Sequence, residues 1–85
     1  MVQFCEGIVE EIQLANDPKE VDEIIRNAFA RFKESKSHDV SKFIINMIVM
    51  LRISVAEAKT PLVQANTIRA ISIFRKCQGT IDNLF

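Results

Sequence analysis

At 85 residues the chain has room for one domain, spanning 1–85, and no second core. Its 48% apolar and 26% charged residues are those of an ordinary soluble globular protein, and two glycines and two prolines exclude a β-rich or loop-rich fold, which needs frequent turns. Eleven bases against eleven acids leave no net charge, which argues against a nucleic-acid-binding domain.

The first helix is expected over residues 2–15, where Phe4, Cys5, Ile8, Ile12 and Ala15 recur at spacings of three and four. Glu6, Glu10, Glu11 and Gln13 take the other side, with Leu14 as an apolar exception. Gly7 weakens this helix by up to about 1 kcal/mol relative to alanine. The break falls at Asn16-Asp17-Pro18, where Asp17 caps the next helix, Pro18 suits its first turn and Glu20 completes a capping-box spacing. Helix 2, over 18–35, carries Val21, Ile24, Ile25, Ala28, Phe29 and Phe32 on one stripe, with Asp22 and Arg26 paired four apart on the outside.

Ser37 is the expected cap of helix 3, over 38–59, with Asp39 in its first turn where the helix dipole favours an anion. Thr60-Pro61 repeats the cap-then-proline device and opens helix 4, over 61–78, with Val63, Ala70, Ile71, Phe74 and Cys77 as its stripe. Gly79 is placed to end it in a left-handed cap, leaving 80–85 as a short tail. Helices joined by such short breaks lie antiparallel to their sequence neighbours. The expected class is therefore all-α, a four-helix antiparallel bundle or two stacked αα-hairpins. A shift of 43 residues lays Asp17-Pro18 on Thr60-Pro61, Ile25-Arg26 on Ile68-Arg69, and Ile8 on Leu51, a faint internal repeat.

No chemistry-bearing constellation emerges. Cys5 and Cys77 fall on apolar stripes, where a thiol behaves as a small hydrophobe, and two free thiols point to a reducing, cytoplasmic home. The amino-terminal residues lack the basic and apolar regions of a signal peptide, and the apolar run Phe43 to Val55 is shorter than the roughly 20 residues a membrane span requires. His38 is the single histidine, with no second ligand at helical spacing, so no metal or cofactor is expected. Glu10, Glu11, Glu20 and Glu23 lie on polar faces, where their carboxylates are solvated. The serines have no histidine partner and no glycine-rich phosphate loop exists, so neither an enzyme nor a small-molecule substrate is expected.

Helix 3 is the element that does not balance. Val40, Phe43, Ile44, Met47, Leu51 and Val55 make an ordinary core stripe, yet Ile45, Val49, Ile53 and Ala56 add a second apolar strip on the flank near Asn46 and Arg52. Either the tail residues Leu84 and Phe85 and the neighbouring helices cover that strip, or it joins Ile68 and Ile73 of helix 4 in an exposed patch that meets a protein partner. A homodimer is the simplest version, because two-fold assemblies are the commonest oligomers.

The zero net charge conceals a split. Residues 1–23 hold seven acids and one base, and residues 24–85 hold ten bases and four acids, giving −6 and +6. Helix dipoles account for much of this layout, and the basic helix ends are the alternative partner-facing feature. With no tryptophan or tyrosine to stack bases, a nucleic-acid-binding regulator is the least favoured reading. In layout, a short acidic first helix, a Pro-started second, a long apolar third and a terminal fourth, the chain is similar to bacteriocin immunity proteins. That resemblance implies a four-helix fold with a self-protection role.

Overall fold

The computed structural model describes residues 2–34 and 39–84, with side chains through Gly79. Four helices follow one another, α1 (Val2–Leu14), α2 (Pro18–Glu34), α3 (Val40–Glu57) and α4 (Pro61–Leu84). They pack as an all-α bundle 37 Å long, about the length of a 24-residue helix at 1.5 Å per residue.

The caps explain the starts. At α2, Asp17 accepts from the Glu20 backbone N–H at 2.8 Å, while the Glu20 carboxylate reaches back to the Asn16 N–H at 2.8 Å, a reciprocal arrangement displaced by one residue from the usual box. At α4, the Thr60 hydroxyl accepts from the Val63 N–H at 3.2 Å. At α3 the cap is Asp39, accepting from the Lys42 N–H at 3.0 Å, so the helix starts at Val40 and Asp39 stands before it rather than in its first turn. Ser37 and His38 lie outside the described residues. The helix also ends earlier than expected, because Ala58 turns to extended backbone ahead of Thr60-Pro61.

The carboxyl end differs more. No residue among those described has positive φ, and Gly79 is helical, so α4 runs on to Leu84 where a tail was expected. A glycine ends a helix only if the next contacts reward the left-handed turn. A Cβ built on Gly79 meets nothing within 4 Å, so nothing in its surroundings requires a glycine.

One end of the bundle is aromatic. Phe43 of α3 is fully buried and meets Phe4 of α1 at 5.7 Å, Phe29 and Phe32 of α2 at 5.4 and 4.7 Å, and Phe74 of α4 at 5.9 Å between ring centroids. Edge-to-face and offset geometries of this kind add to the area they bury. The opposite end is built from small and polar groups. Asn66 is buried on α4 and donates its amide to the Ala15 carbonyl at 2.8 Å, satisfying an orphan carbonyl at the end of α1. Thr67, also buried, donates its hydroxyl to the Val63 carbonyl at 2.7 Å within its own helix.

These residues set the helix spacing. Asn66, Thr67 and Ala70 are small and inward, so α3 and α4 approach most closely. Each of α1 and α4 packs on the other three helices, whereas α2 and α3 occupy the long diagonal and are bridged by phenylalanine rings. The 43-residue repeat holds for the caps and for Ile8 and Leu51, both buried, but fails in the second helix of each pair. Ile25 is buried whereas Ile68 is exposed, because the buried stripe of α4 is turned relative to that of α2.

Two consequences are measurable. Gly79→Ala should stabilise the fold by up to about 1 kcal/mol in urea denaturation, since the helical residue gains propensity, whereas a left-handed cap would make it destabilising. Phe43→Ala should cost about 3–5 kcal/mol by removing the ring that all four helices share. In a chain of this size that loss is a large part of the total stability and is read as a much lower urea midpoint.

Candidate protein-binding face

On α3, Phe43, Ile44, Met47, Ile48 and Leu51 are buried, between α1 on one side and α4 on the other. Two neighbours cannot enclose a helix that is apolar all round. The outer strip is open accordingly, with Ile45 47%, Val49 51% and Ile53 57% exposed, and Arg52 and Ala56 exposed beside them. On α4, Ile68 is 51% exposed. Because Phe43 and Phe74 stand level in this antiparallel pair, counting six residues from each, about one and two-thirds turns, places Ile68 level with Val49. Ile73 points elsewhere. It is about 140° around α4 from Ile68 and half-buried against the core. The side chains of Leu84 and Phe85, the other expected cover for this strip, lie outside the described residues.

Both flanks of the strip are concave and differ in charge. Toward α1 runs an open groove with Val9, Met50 and Ile53 as its apolar floor and Glu6 and Glu10 on its wall. On α4 lies a shallower hollow of Ile68, Ile71 and Ser72 edged by Arg75 and Lys76. The sequence contains no local signal for either. Glu6 and Glu10 read as members of a solvated helix face, and only the docking of α3 beside α1 turns that face into a wall.

Elsewhere the charges are dispersed rather than gathered. Glu11 pairs with Arg31 of α2 at 3.6 Å, and the Arg31 guanidinium also lies 5.2 Å from the centroid of the Phe4 ring. Asp22 was expected to pair with Arg26, but its carboxylate accepts two hydrogen bonds from Arg69 of α4 at 2.8 and 2.9 Å, and Arg26 adds only a nearby charge. The planar guanidinium matches a carboxylate in this bidentate way, and α4 brings it there. Those hydrogen bonds hold the Asp22 carboxyl below the ordinary aspartate value and push Arg69 up. Burial pushes the Cys5 and Cys77 thiols up, so neither is a thiolate at neutral pH. Among the described residues no group of three or more His, Cys, Asp or Glu is placed to hold a metal ion, and no helix is long and apolar enough to cross a membrane.

Two inward residues went unread in the sequence, Asn66 and Thr67. The signal was present, since the apolar stripe of helix 4 has a gap between Val63 and Ala70 where two consecutive inward positions are polar. A polar pair in an inward gap marks buried hydrogen bonds.

The Asp22–Arg69 bridge has a pH signature. A carboxylate whose folded pKa is depressed contributes stability that is present above its unfolded pKa and is lost as pH falls through the folded value. The Asp22 carboxyl should therefore titrate by NMR below the ordinary aspartate value, and Arg69→Ala should return it toward that value. No family model matches this chain, and no curated protein or solved structure matches it either.

Proposed function

We propose that this chain acts by binding a protein, as an adaptor, regulatory subunit or assembly factor, through the apolar face centred on α3 and continued onto α4. The observation that carries this reading is the exposure of Ile45, Val49, Ile53 and Ile68, four large aliphatic side chains half open to solvent on adjacent helices. Isolated exposed aliphatics are normal on any surface, but a grouped set rimmed by charge is the composition of an interface. Catalysis has no part in the reading. Among the described residues the acids are spread between two caps, two inter-helix ion pairs and the groove wall, with no convergent set of them about one position. Two unpaired cysteines, their thiols held protonated by burial, fit a reducing compartment such as the cytoplasm.

Val49→Asp tests this directly. The variant should keep its helical circular dichroism and its melting temperature to within a few degrees, because the side chain faces solvent. It should lose association with itself, or with a partner crosslinked to the wild-type chain, at least about tenfold, because a carboxylate in the centre of an interface must be desolvated. Leu14→Asp is the control. Leu14 is 73% exposed on α1, on the side of that helix turned away from the groove, and its replacement should change neither measurement. Unfolding of the Val49 variant, or association as tight as wild type, would sink the reading.

A further inference from the structure

We infer that the occupant of this face is a second copy of the chain, related by a two-fold axis parallel to the bundle, so that the acidic α1/α3 groove of each copy receives the basic α4 hollow of the other. The inference rests on the reading of α3 and α4 as a protein-binding face and adds the occupant and its orientation.

The argument is one of charge and symmetry. α3 stands in the middle of the face, with Glu6 and Glu10 on its α1 side and Arg75 on its α4 side. Two identical faces meeting about a two-fold must be turned over, so the axis lies in the plane of contact, with its limiting directions along the bundle and across it. An axis across the bundle sets α1 on α1 and α4 on α4, acid against acid and base against base. An axis along the bundle exchanges left for right and keeps height, so acid meets base twice. Like charges brought together at an interface cost free energy and unlike charges fix its orientation. Of these two, the axis along the bundle is the one favourable on both flanks.

The heights agree as well. Phe4, Phe43 and Phe74 are in mutual or shared ring contact and mark one level. At 1.5 Å per residue, Glu6 and Arg75 then differ by about 5 Å in height, within the reach of two long side chains. Arg52, on the α4 side of the strip, likewise falls within about 5 Å in height of Glu10 in the opposing copy. Lys42, near the acidic flank, is outnumbered by the two glutamates. Between the flanks, Ile45 and Val49 of one copy lie over the same strip of the other.

The test is a charge exchange followed by sedimentation equilibrium at low salt. The wild-type chain should dimerise, and the dissociation constant should rise with ionic strength. Glu6→Lys and Arg75→Glu, each alone, should raise that constant about tenfold or more while helicity is unchanged, because each places like charges at two contacts. An equimolar mixture of the two variants should dimerise as well as wild type, since a mixed pair restores an acid–base match at both contacts. A variant pair that stays apart on mixing, or single variants that dimerise normally, would overturn this orientation. A wild-type chain monomeric at every concentration would overturn the second copy as occupant. In that case a Val49-dependent partner of different sequence would leave the protein-binding reading standing.

Discussion

Among the described residues Phe43 alone has a ring in contact with rings from each of the other three helices. The contact matters most across the long diagonal, where the α2 and α3 backbones stay apart and Phe29 and Phe32 span the gap. A smaller side chain there would leave the diagonal open, and in a bundle of this size there is no second layer to close it. The aromatic end therefore fixes which helices are neighbours and which are diagonal.

The far end is closed differently, and the difference decides the surface. Asn66 ties α4 to the last carbonyl of α1, and Asp22 ties α2 to Arg69 on the same helix. With Asn66 and Arg69 directed to fixed partners, the rotation of α4 about its own axis is set. Ile68 is then left outside, and Ile73 is turned toward the core. Hydrogen bonds have direction and hydrophobic contacts do not, so polar groups choose the rotation that an apolar stripe leaves loose.

The same rotation organises charge. Net charge is zero, yet α1 presents acids beside the strip on α3 and α4 presents bases on its other side. In the proposed association, long-range attraction between such faces would set orientation and speed of encounter, and the aliphatic strip would supply area. Neither feature alone specifies a surface. Together they divide one face into acidic, apolar and basic bands.

Much of the architecture was legible because it rests on local rules. The caps at Asp17 and Thr60 with the prolines that follow them, the buried stripes of α1 and α2, and the second apolar strip of helix 3 all follow from period and from the chemistry of orphan backbone groups. Ile45, Val49 and Ile53 were set apart on the sequence because 3.6 residues per turn assigns them a different side from Met47 and Leu51. Other features depended on neighbours that lie far along the chain. Gly79 looked like a stop, but a glycine permits a left-handed turn without requiring one, and α4 continues through it. Asp22 had Arg26 four residues away, yet Arg69 offers a bidentate fit that only inter-helix packing provides. The sequence by itself determined four helices, their order and their apolar sides. Tertiary structure alone decided the rotation of α4, the acidic groove beside α1 and the partners of the buried polar groups, because each depends on distances between residues about 40–50 positions apart that no local periodicity contains.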